Sequence, residues 1–168
     1  MRYWLAAAVM MAAAPASAQV TLEANQATSI KLTANGGAIV AAPRPAELGE
    51  HDRSFVEEMR DSVANSDNIV MGSAAPGIDP PPVALGQIEI IFVVLDGKET
   101  VLVMVNGYDQ AVTYRARIWA EGRDAPTDVC LLLPGKRGYE QWPFAIDRIE
   151  LSAFRTEPWK DGDPIPCR

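Results

Sequence analysis

The sequence predicts a mainly β protein, an antiparallel β-sandwich with one short N-terminal helix. Three observations carry this. Between Leu85 and Phe154, runs of Val, Ile, Phe and Tyr recur at short spacing. Turn residues such as Asp96-Gly97, Asn106-Gly107 and Pro134-Gly135 separate them, with no helical pattern between. One run, Ala111 to Trp119, alternates strictly: Val112, Tyr114, Ala116 and Ile118 on one face, Thr113, Arg115 and Arg117 on the other. Alternation of that kind puts one face in a core and one in water. Short strands joined by turns pack as a sandwich or barrel.

The first element is a segment destined for removal. Arg2 precedes an uncharged stretch from Tyr3 to Ala14, Pro15 breaks it, and Ala16-Ser17-Ala18 supplies small residues for a signal peptidase. Cleavage is expected between Ala18 and Gln19. The stretch is shorter than the ~20 residues that span a bilayer, and the first cysteine is Cys130, which argues against a lipoprotein. The predicted organisation is a signal peptide at 1–18, an N-terminal segment at 19–83, and a β-sandwich domain with a C-terminal tail at 84–168. The short Ala-rich signal reads as bacterial, and the expected compartment is the periplasm or the medium.

In the N-terminal segment, Ser29–Thr33 and Ala38–Val40 flank Asn35-Gly36-Gly37 as a short hairpin. Pro43, Pro45 and Gly49 mark a loop. A helix is expected over residues 51–65. Ser54 and Glu57 fit a capping box, and Phe55, Met59 and Val63 form its narrow apolar stripe. Gly72–Pro82 reads as a stiff, Pro-rich linker. The strands then follow: Ile88–Leu95, a type I′ turn at Asp96-Gly97, Thr100–Val105, Ala111–Trp119, Val129–Leu133 and Ile146–Phe154. Glu121–Thr127 is expected as a loop. The stretch Leu102–Ile118 resembles the strand–turn–strand pieces of immunoglobulin-like envelope domains, which implies an immunoglobulin-like arrangement of the sandwich.

Two cysteines in an exported chain predict one disulfide, Cys130 to Cys167, which anchors an otherwise weakly apolar tail. A free thiol at Cys130 and an intermolecular bond through Cys167 are the competing outcomes. The chain carries 22 acidic and 15 basic residues, a net charge of -7. Loss of Arg2 leaves 14 basic residues and a charge of -8. Such a surface repels phosphate backbones, so nucleic acid is not an expected partner. No later stretch is long enough to span a membrane.

Candidate chemistry is sparse. His51, Ser54 and a neighbouring acid invite a triad, but there is no Gly-x-Ser-x-Gly elbow. His51 reads as a solvated residue at a helix start, and Ser54 as its cap. Asp147 with Glu150, or Glu57 with Glu58, read as surface charge rather than a glycosidase pair, which needs facing carboxylates. Arg115, Arg117 and Arg123 read as solvated partners of cross-strand ion pairs. The segment from Lys136 to Phe144 gathers Tyr139, Trp142 and Phe144, and Trp159 is expected to join them. These aromatics either close one end of the sandwich, the favoured reading, or form a binding surface. No phosphate loop, His-Glu-x-x-His, Ca²⁺ loop or Cys-x-x-Cys occurs, so no cofactor or metal is predicted. The expected function is an exported, non-enzymatic β-sandwich protein that serves as an envelope accessory or binds a protein. The alternatives are a glycan-binding module using Tyr139, Trp142 and Trp159, and a hydrolase with an unrecognised site.

Overall fold

A computed structural model describes residues 19–34, 37–65 and 79–167 of the chain, with side chains given up to Arg60 in the helix. The predicted signal peptide and cleavage signal, Asn35 and Gly36 of the hairpin turn, the Val63 side chain and most of the Pro-rich linker lie outside what is described.

Among the described residues, ten strands and one helix follow each other as β1 (Gln19–Glu23), β2 (Gln26–Leu32), β3 (Ala38–Val40), β4 (Arg44–Pro45), α1 (Glu50–Asn65), β5 (Ile88–Leu95), β6 (Glu99–Asn106), β7 (Ala111–Ala120), β8 (Arg123–Thr127), β9 (Arg137–Trp142) and β10 (Arg148–Glu157). They form two antiparallel sheets, one in the order β1-β10-β7-β8 and one in the order β3-β2-β5-β6-β9, with β4 also pairing with β2. The predicted type I′ turn is present. Asp96 and Gly97 both have positive φ, and Lys98 N–H donates to Leu95 C=O.

Alternation along the strands builds the core between the sheets. Val20 and Leu22 from β1, Ile88, Ile90 and Phe92 from β5, Tyr114 and Ile118 from β7, and Ile149 and Leu151 from β10 meet there. A second apolar layer lies outside the six-stranded sheet, where Leu48 and Val56 pack on Val93, Val101, Val103 and Val105. It explains why β6 is apolar on both faces: Leu102 and Met104 point to the main core, and the three valines lie under α1.

Several expectations need correction. Residues 19–32 belong to the two sheets rather than to a separate N-terminal segment, since β1 pairs with β10 and β2 with β5. The run Val129–Leu133 makes only isolated bridges, Val112 to Leu132 and Cys130 to Cys167. Its apolar character reflects burial of Val129, Leu131 and Leu132 as the chain crosses from one sheet to the other. Glu121–Thr127 contains β8 rather than a loop, because Glu121 and Gly122 both take positive φ and close a two-residue hairpin. Arg137–Trp142 is the edge strand β9, paired with β6. The last strand starts at Arg148 and runs to Glu157, with a bulge between Ser152 and Arg155 where Ala153 has positive φ. That bulge ends the alternation that buries Ile149 and Leu151.

The helix begins one turn before Ser54. Gly49 C=O accepts the Arg53 N–H, so Gly49 holds the cap position and Ser54 is interior. The capping box at Ser54 and Glu57 is therefore absent. Cys130 and Cys167 are bonded, and Leu131 N–H donates to Pro166 C=O beside them. The tail is tied back as expected.

Candidate functional site

The polar groups with the most unusual surroundings lie where α1 meets β9. Asp52, in the first turn of α1, is 2% exposed. Its carboxylate accepts both contacts of the Arg137 Nη1 group, at 3.0 and 3.1 Å, and the Tyr139 hydroxyl at 2.7 Å. His51 Nδ1 lies 3.3 Å from the same carboxylate. Phe55, one turn on, stacks on the Tyr139 ring with centroids 4.1 Å apart. At the other end of α1, Arg60 Nε donates to Glu99 at 2.8 Å, and Gln141 also donates to Glu99. Helix periodicity presents 52, 55 and 56 to the sheet together. The alternation of β9 presents 137, 139 and 141.

This arrangement corrects the reading of His51 as solvated: it is 7% exposed, with Nε2 buried and unpartnered. The ion pair between α1 and β9 draws the first turn of the helix against the sheet, and His51 is covered with it. Burial, with the hydrogen bond to Asp52 reinforcing it, pushes the Tyr139 phenol well above its ordinary range, so it donates and does not ionise at neutral pH. The cluster is a neutralised, inward-facing anchor. Asp52 was not a candidate at the sequence level. An acid on the same helical face as Phe55 and Val56 was its one visible signal.

The four aromatics proposed from sequence separate. Trp142 is 8% exposed in the main core, with Nε1 donating to Thr127 Oγ1 at 3.0 Å. Tyr139 points to the other face of β9 and is held by Asp52 and Phe55. Phe144 is 42% exposed just beyond β9. Trp159 follows β10 of the other sheet and is half-buried, with Nε1 buried and unpartnered. They do not make one stacking platform.

Between Tyr139 and Gln141, Glu140 faces inward beside the disulfide. It accepts the Cys130 N–H at 2.7 Å and lies near the Tyr114 hydroxyl. Burial pushes its carboxyl above the usual carboxylate range, opposed by the Cys130 N–H and the Tyr114 hydroxyl. Burial likewise raises the Tyr114 phenol, with the Glu140 charge adding to it. The basic stripe is partnered where ion pairs are made: Arg117 with Asp124 across β7 and β8, and Arg123 with Glu121.

An open groove of about 790 Å³ lies on the other flank of α1. Leu48, Val93 and Leu95 form its apolar part, and Asn25, Pro45 and Ala46 close one end. Arg53, Glu57 and Arg60 of α1, with Glu47 and Asp96, supply its charges. Glu47, Glu57 and Asp96 are all exposed. Arg53 donates to Leu48 C=O at 3.1 Å, and Arg60 is engaged by Glu99.

Among the described residues, no group of three or more His, Cys, Asp or Glu residues can hold a metal ion. No helix among them is long and apolar enough to cross a membrane. The fold and groove define a two-sheet antiparallel β protein with a surface cleft beside its helix. No protein-family model, curated protein or solved structure matches the chain.

Proposed function

We propose that this is an exported, non-enzymatic protein with an immunoglobulin-like β-sandwich, and that it binds a protein of the bacterial cell envelope through the groove beside α1. The observation that carries the reading is the division of polar groups on either side of the helix. The inward-facing ones, Asp52, Arg137 and Tyr139, hold α1 in place. The exposed ones, Glu47, Glu57 and Asp96, line an open cleft over an apolar floor, a combination suited to recognition. The disulfide supports an oxidising compartment. Export is also supported by the pattern Arg2, Tyr3–Ala14 and Ala16-Ser17-Ala18.

Photo-cross-linking in intact cells tests this reading, with the reactive residue placed at Glu57 or Asp96 and, as control, at Arg115 on the other sheet. A discrete adduct with one envelope protein, formed from the groove positions and not from Arg115, is the expected result. Absence of an adduct from both groove positions overturns it.

A further inference from the structure

We infer that the groove takes an extended, basic and apolar segment of its partner, which adds as a strand against the end of β5; this rests on the binding role proposed above. The sheet is open at that point for a topological reason. β2 pairs with β5 only as far as Gln26 opposite Phe92. Beyond it the chain turns to the other sheet, where Ala24 N–H donates to Asp147 C=O and β1 pairs with β10. Val93, Val94 and Leu95 therefore have β6 on one side and the groove on the other. Over this edge of about 10 Å only Val94 turns its N–H and C=O outward, because Val93 and Leu95 turn theirs to β6.

The Val94 backbone shows which way the edge faces. Its N–H donates to Asn25 Oδ1 at 2.9 Å, so it turns away from β6. In a strand, the C=O of the same residue points the same way. Asn25, with φ of 63°, thus sets a side-chain carbonyl where the backbone of a neighbouring strand would stand. It is a local stand-in that an incoming peptide can replace. β8, an edge strand of the other sheet, is instead guarded by Arg123, Asp124 and Pro126.

Side chains define the chemistry of the occupant. Leu95, partly exposed, is the apolar side chain that the groove offers to an added strand, with the buried Val93 and Leu48 beneath it. Glu47, Glu57 and Asp96 surround it, whereas Arg60 is neutralised by Glu99 and Arg53 alone remains as a cation. That balance, on a chain of net charge -7, selects basic residues at the positions between the apolar ones.

The test is an amide-shift titration of the ¹⁵N-labelled chain from Gln19 onward with an acetylated, amidated Lys-Val-Lys-Val-Lys-Val peptide and its Glu-Val counterpart. The expected result is saturable shifts at Asn25, Val94 and Leu95 with the basic peptide, and about tenfold weaker binding of the acidic one. Asn25→Gly keeps the left-handed backbone and frees the Val94 N–H, so it should tighten binding several-fold. Glu57→Lys, at an exposed position, should weaken binding several-fold with an unchanged melting temperature. No response to the basic peptide, shifts confined to other regions, or equal affinity for the acidic peptide overturns the inference. If groove cross-links still form in cells after such a result, the binding role stands and strand addition falls; without those cross-links both fall.

Discussion

Individual side chains carry sharply different free energies according to what surrounds them. Trp142 fills the main core, so Trp142→Ala leaves a cavity and should cost roughly 3–5 kcal/mol, read as a large drop in melting temperature. Asp52 is the counter-charge of a nearly buried Arg137. Asp52→Asn keeps the shape and strands that guanidinium, for an expected loss of about 3–5 kcal/mol. Replacing both, as Asp52→Asn with Arg137→Met, should recover a large part of it. Glu140 adds a pH dependence of definite sign. Its folded carboxyl is raised above the unfolded value, so the folded state holds the proton more tightly. Stability should fall as pH rises from the ordinary glutamate range through the raised value, and the cost is complete above it. Denaturant melts across that interval should show the slope in the wild type and lose it in Glu140→Gln.

At the scale of elements, α1 and the C-terminal tail are each held by few but specific ties. The helix rests on Leu48 and Val56 in the outer apolar layer, with the Asp52 anchor at one end and Arg60–Glu99 at the other. The tail depends on Cys130–Cys167 and the Leu131–Pro166 backbone bond. Closing a 37-residue separation stabilises the fold by roughly 4 kcal/mol in the chain-entropy model. Cys130→Ser with Cys167→Ser should lower the melting temperature accordingly. Amide exchange should accelerate first after Glu157. Unchanged protection there would show that the tail docks without the bond.

For the whole molecule, the two sheets close only when β1 and β2, more than fifty residues before β5, take their places at or beside the later strands. Export should therefore remove residues up to Ala18 and no further. The intact mass of the protein from the cell envelope should correspond to a chain starting at Gln19 with one disulfide. A product retaining Met1 would count against export, and one shortened into β1 would lack a strand of the four-stranded sheet.

The sequence by itself determined the β class, the Asp96-Gly97 turn, the strands β5, β6 and β7, the helix near 51–65 and the cysteine pairing. Each is written in local periodicity, turn stereochemistry or residue count. The tertiary structure alone decided what depends on distant neighbours. β8 and β9 lack apolar runs because edge strands need a ladder partner more than a core face, so Arg123–Thr127 reads as a loop and Arg137–Trp142 shows no strand pattern. Val129–Leu133 read as a strand because burial, not backbone pairing, makes it apolar. The groove was invisible for the same reason. Asn25, Leu48, Arg53 and Val94 come from separate stretches of chain, and no local pattern links them. They meet because β2 leaves β5 for the other sheet and α1 packs beside the gap.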